Sequence, residues 1–139
     1  MKTVTQKELK EELSLRTPKE VRELCLRLSR FKKENKELLK YLLFEASDEA
    51  SYLESVKAEI DEQFEQLNRK TNYLLKKSVM RILRSTRKYI RYSQNKQTEV
   101  DLLIYFCKKL KKISPSMQRN TGLLNLYNRQ IETIIKKIS

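Results

Sequence analysis

The chain has 139 residues, 35% of them charged, with 31 Lys or Arg against 18 Asp or Glu and no histidine, for a formal net charge of +13. A single glycine and two prolines argue against Gly-rich phosphate loops and hairpin-rich β folds. The missing imidazole removes Ser-His-Asp and Cys-His catalysis and most helical zinc or di-iron sites.

What remains is an all-α fold, since the abundant Leu, Lys, Glu, Arg, Gln and Ile include mostly good helix formers. Thr5 stands three residues before Glu8, and Thr17 precedes Pro18 and Glu20. Each pair sets an N-cap hydroxyl before an acid, so helices start near residues 6 and 18. The first, about 6–14, is short and reads as a loosely attached start to a single helical domain spanning 1–139. Cys25 and Cys107 sit alone inside ELCLRL and LIYFCKKL, without CxxC spacing, and are expected as buried reduced thiols.

Asn35 or Lys36 is expected to open a helix carrying Leu38, Leu39, Leu42 and Leu43. Ser47 before Asp48 and Glu49 starts another, because acids in a first turn favour the positive end of the helix dipole. From Ser47 to about Asn68 the residues Tyr52, Leu53, Val56, Ile60, Phe64 and Leu67 recur in steps that define one face. From Arg69 to Tyr92 a long helix carries Leu75, Val79, Ile82, Leu83 and Ile90 on one face, and the polar cluster at 93–97 ends it. Thr98 before Asp101 predicts a helix from about Glu99 to Lys112, and Ser114, Pro115 and Ser116 break it. The last helix, Thr121 to Ile138, would turn Leu123, Leu124, Leu126, Tyr127, Ile131, Ile134, Ile135 and Ile138 inward, with Gly122 in its first turn.

These elements make six or seven helices, packed as a closed bundle or as a short stack of α-hairpins. The longest apolar run, Leu102 to Cys107, is far below the roughly eighteen residues a membrane span needs. The N-terminal MKTVTQKELKEEL has no apolar signal core, which predicts a cytoplasmic protein.

The charge is unevenly placed. Residues 1–68 hold 13 basic and 15 acidic residues, net −2, while residues 69–139 hold 18 basic and 3 acidic, net +15. On a helical wheel with Leu75 at zero, Lys76, Lys77, Arg81, Arg84, Arg87, Lys88 and Arg91 fall between about 100° and 240°. Tyr73 and Met80 lie among them, opposite the apolar face. Such a stripe attracts an acidic protein surface or the phosphate backbone of a nucleic acid. A blander reading has an antiparallel neighbour bearing Glu54, Asp61, Glu62 and Glu65 neutralising its flank through surface pairs worth little each. Lys108, Lys109, Lys111, Lys112, Lys136 and Lys137 add further positive charge.

The carboxylates at Asp48/Glu49 and Asp61/Glu62/Glu65 read as a helix start and a solvated face, and the tyrosines as core or rim residues. No catalytic residue, metal ligand or cofactor site emerges. The expectation is a non-enzymatic binding module docking a protein through its basic helical face, with sequence-nonspecific nucleic-acid binding as the alternative. Head-to-tail pairing of the basic and mildly acidic halves would give a homo-oligomer.

The succession ELKEEL (Glu8 to Leu13), TPKEVRELCLRL (Thr17 to Leu28) and KENKELLKYLLFEASDEASYLESVKAEIDEQF (Lys33 to Phe64) resembles a family of small all-helical bacterial proteins. That family is seen mainly among Bacteroidetes and is classed as a domain of unknown function. The likeness covers about half the chain and continues loosely through Leu102, Tyr105 and Phe106; the basic helix has no counterpart in it. The resemblance implies an all-α fold and supplies no activity.

Overall fold

The computed structural model describes residues 2–113 and 117–139. Among the described residues there are seven α-helices and no strand. The predicted break at Ser114, Pro115 and Ser116 lies outside the described residues. The chain divides into two compact units, Met1–Leu43 and Phe44–Ser139.

The N-terminal unit holds α1 (Gln6–Ser14), α2 (Pro18–Phe31) and α3 (Lys33–Lys40). Both predicted caps form. Thr5 accepts from the Glu8 amide, and Thr17 and Glu20 make a reciprocal capping box at 3.0 and 3.1 Å with Pro18 behind it. Lys32 breaks the chain between α2 and α3 with an extended backbone, φ −142° and ψ 149°, so α3 opens at Lys33, two or three residues earlier than Asn35 or Lys36. Asn35 instead donates its amide to the Leu28 carbonyl at 2.8 Å, tying α3 back onto α2. None of the residues of α1, α2 or α3 is buried. Cys25, expected in a core, is exposed. Of the leucines placed on an apolar stripe, Leu38, Leu42 and Leu43 stand open to water. A π-helical turn, Tyr41–Glu45, carries the chain across the boundary between the units.

The C-terminal unit is a four-helix bundle of α4 (Glu49–Glu65), α5 (Asn72–Ser93), α6 (Lys96–Lys111) and α7 (Thr121–Ile138). α6 packs against all three of the others, and α5 also meets α4 and α7. Central placement explains the sequence of α6: Thr98, Val100, Leu102, Leu103, Phe106, Cys107 and Leu110 are buried, an arc of about 200° of its circumference. The six-residue apolar run is thus a core segment. Truncating Leu102, Leu103 or Phe106, all fully enclosed, would cost roughly 3–5 kcal/mol. Phe64 of α4 meets Phe106 with ring centroids 5.8 Å apart.

Two expectations for this unit change. α6 begins at Lys96, three residues earlier than the Thr98–Asp101 pair suggested, because Asn95 is the cap and accepts from the Thr98 amide at 3.0 Å. Thr98 is buried and gives its hydroxyl to Glu49. Glu49 also receives Ser93 at 2.6 Å, so one carboxylate at the start of α4 holds the α5–α6 turn. In α7, Leu123, Leu126 and Ile134 are buried, whereas Leu124, Ile135 and Ile138, expected inward, are exposed. An isolated hydrophobic stripe is narrower than a run of eight apolar residues, and the surplus faces solvent.

Candidate anion-binding face

α5 carries the candidate site. Thr71 caps it by accepting from the Leu74 amide at 3.0 Å, and Leu75, Val79, Ile82, Thr86 and Ile90 form its buried stripe. Its two flanks meet different neighbours. Toward α4, Gln63 donates to Ser85 at 3.3 Å, and the Tyr52 hydroxyl donates to the Tyr89 carbonyl at 2.7 Å. Toward α7, Arg87 donates to the Gln130 amide oxygen at 2.6 Å. The remaining outward arc is the one the wheel assigned to the bases.

The seven predicted residues separate into two groups. Lys77, Arg81, Arg84 and Arg91 are exposed, and Lys76, Arg87 and Lys88 are half-buried. Arg87 is held by Gln130. Lys88 lies with its ammonium 4.9 Å from the Tyr89 ring centroid. The Lys76 side chain crosses Gly122 at the start of α7. Tyr73, 71% exposed, and Met80 are open on the same outward arc.

Two of the α4 carboxylates that could have flanked the stripe are engaged elsewhere. Asp61 faces α6, accepting from the Tyr105 hydroxyl at 2.5 Å and pairing with Lys109 at 3.1 Å, while Glu54 pairs with Lys57 on its own helix at 3.6 Å. Among the described residues, Lys77, Arg81, Arg84 and Arg91 form no ion pair. Burial alone would raise the Asp61 carboxyl, but the hydrogen bonds from Tyr105 and Lys109 outweigh it and hold the group below the usual aspartate range. The same hydrogen bond, aided by burial, pushes the Tyr105 phenol up to about 12.

Lysines expected to reinforce the stripe divide likewise. Lys109 turns to Asp61, whereas Lys136 and Lys137 at the end of α7 gather with Arg91 and Lys96 around a surface cleft of about 500 Å³. Glu99, bridged to Lys137 at 3.4 Å, is the acid in that cleft. Lys96 was not singled out from the sequence; its place at the first turn of α6 beside the last turn of α5 follows from the tight 94–95 connection. No group of three His, Cys, Asp or Glu side chains among the described residues could hold a metal ion, and none of their helices is long and apolar enough to cross a membrane.

Comparison with protein-family models, curated proteins and solved structures gives no match, so the functional reading rests on these residues.

Proposed function

We propose that the chain is a helical interaction module that docks an acidic protein surface on the outward face of α5. The observation that carries this reading is that Lys77, Arg81, Arg84 and Arg91 are exposed and form no ion pair, while Asp61 and Glu54 of the adjacent α4 serve Lys109, Tyr105 and Lys57. Unneutralised charge on one face sets up a positive potential that steers and selects an anionic partner. Exposed Tyr73 and Met80 belong to the residue types enriched at the centres of protein interfaces, as does arginine. The absence of histidine supports binding rather than acid–base catalysis.

A second reading, backbone binding of nucleic acid, is favoured by the linear spread of these cations. Residues 77 to 91 cover roughly 21 Å of helix at 1.5 Å per residue, which suits a polyanion followed along its length.

The test is fluorescence anisotropy with a labelled poly-glutamate peptide and a labelled duplex in about 50 mM salt, followed by salt titration. The peptide is expected to bind, and Arg81→Glu, Arg84→Glu and Arg91→Glu together to abolish binding while helical content is kept. Binding of the duplex alone, with log K falling at a slope of about −4 against log salt, would move the function to nucleic acid. No binding of either ligand removes the reading.

A further inference from the structure

We infer that the cleft where α5 ends, α6 begins and α7 ends binds a compact oligophosphate, the diphosphate or triphosphate group of a free small molecule. The three helix ends meet because α6 packs against both α5 and α7, and the 94–95 connection sets the first turn of α6 beside the last turn of α5. Arg91 comes from α5, Lys96 and Glu99 from α6, and Lys136 and Lys137 from α7. The cleft they line, of about 500 Å³, is in the size range of small-molecule sites.

Charge selects the ligand. Four cations face one carboxylate in this lining, a net of +3. Glu99 is taken by Lys137 at 3.4 Å, and Arg91, Lys96 and Lys136 form no ion pair among the described residues. Helix dipoles absorb little of the surplus. The C-termini of α5 and α7 bring about −0.5 each and the N-terminus of α6 about +0.5, which leaves roughly +2.5. A single phosphate group carries about −1.5 to −2, so balancing this surplus takes at least two phosphates close together.

The geometry asks for a compact ligand as well. The α5 stripe strings its cations along one helix, whereas here cations from three helices gather round one cleft. Arg91 offers a planar fork to two phosphate oxygens, and the lysines act as point charges. Glu99 works against binding, since its carboxylate repels an incoming phosphate and holds Lys137.

The experiment is isothermal titration calorimetry on the full chain in about 150 mM salt, without divalent cations, using inorganic phosphate, inorganic tripolyphosphate and a nucleoside triphosphate. Tripolyphosphate is expected to bind at about one per chain, and inorganic phosphate about tenfold more weakly. Lys96→Gln with Lys136→Gln should weaken tripolyphosphate binding about tenfold with unchanged helical circular dichroism. Lys77→Gln with Arg81→Gln removes the same charge from the α5 face and should change affinity by less than about twofold. Glu99→Gln should tighten binding about threefold, a gain that a purely structural role would not produce. A nucleoside triphosphate bound about tenfold more tightly than tripolyphosphate assigns the site to a nucleotide, and equal affinities assign it to the phosphates alone. Absence of tripolyphosphate binding overturns the inference, as does inorganic phosphate binding equally well. Equal losses in the two double variants overturn it too, because net charge then governs binding, and so does a Glu99→Gln that gains nothing. Lys96 and Lys136 lie off the α5 stripe, so this outcome and that of the acidic-partner reading are separable.

Discussion

Arg87 reaches across from α5 to donate to the Gln130 amide oxygen of α7 at 2.6 Å, and Gln130 is only 5% exposed. An arginine on the cationic stripe is therefore part of the bundle's internal bonding. Removing it leaves a buried amide oxygen without its donor, which costs about 1–3 kcal/mol. Arg87→Ala should lower the urea midpoint accordingly, whereas Arg84→Ala, an exposed neighbour one turn away, should stay within about 0.5 kcal/mol of wild type. Equal effects of the two substitutions would show that the Arg87–Gln130 bond contributes nothing.

Gln94 ends α5 in the left-handed region, with φ 50° and ψ 27°, and its amide closes the helix on the Ile90 carbonyl at 3.0 Å. It is the sole non-glycine residue with positive φ among the described residues. Such a side chain costs about 1 kcal/mol at a helix C-terminus where glycine is the favoured residue. Gln94→Gly should therefore stabilise the protein by about 0.5–1 kcal/mol, seen as a higher thermal midpoint. Gln94→Ala keeps the strain and should show no gain.

What the sequence made legible follows from how local the governing physics is. The caps at Thr5 and Thr17 and the core faces of α4 and α5 depend on neighbours three or four residues away, and they fold as their spacing implies. The outward placement of Lys77, Arg81, Arg84 and Arg91 was legible for the same reason, as it is the complement of an apolar stripe. The fates of Arg87 and Lys76 were not, because Gln130 and Gly122 lie 43 and 46 residues further along and only tertiary packing brings them close. The start of α6 was misread because Thr98 looks like a cap but serves Glu49 of α4, leaving the cap to Asn95. In the N-terminal unit the period of Leu38, Leu39, Leu42 and Leu43 marks an apolar face, and Leu38, Leu42 and Leu43 are exposed. Periodicity marks a face and says nothing of whether the same chain supplies its cover.

Gly122 is where a Cβ would meet the Lys76 side chain, with Cδ at 2.7 Å and Nζ at 2.9 Å. The obstacle is the flexible end of a lysine, which can swing outward, and alanine gains helix propensity worth up to about 1 kcal/mol over glycine. Gly122→Ala should leave stability within about 0.5 kcal/mol of wild type, because the displaced lysine offsets the gain. In a Lys76→Ala background the same substitution should be stabilising. A double-mutant cycle by chemical denaturation measures the difference, and a cycle that sums to zero would mean the two residues do not interact.

The two cysteines report separately on the two units. Cys25 is exposed, while burial within α6 pushes the Cys107 thiol up to about 11, and only the thiolate reacts readily. A chromogenic disulfide reagent at neutral pH should therefore modify one thiol per chain in the native protein and two in denaturant. Cys25→Ser should abolish the fast phase, and the slow labelling of Cys107 should follow unfolding of the C-terminal bundle.

Asp61, Tyr105 and Lys109 make the pH dependence of the bundle testable at both ends of the scale. The Asp61 carboxyl is held below its ordinary value of 3.8, so the folded state binds that proton less readily than the unfolded chain. Its stabilisation is present above 3.8 and is lost as pH falls through the lowered folded value. Asp61→Asn should cost about 1 kcal/mol near neutral pH, a modest figure because the pair is partly exposed, and the gap should close as acid is added. Tyr105 moves the opposite way. Its phenol is raised from 10.0 to about 12, so its contribution is complete below 10.0 and is lost as pH rises toward 12. Ultraviolet titration of tyrosinate should show a late-ionising phenol in the wild type that moves earlier in Asp61→Asn, whereas titration curves identical in the two proteins would contradict the Tyr105–Asp61 hydrogen bond.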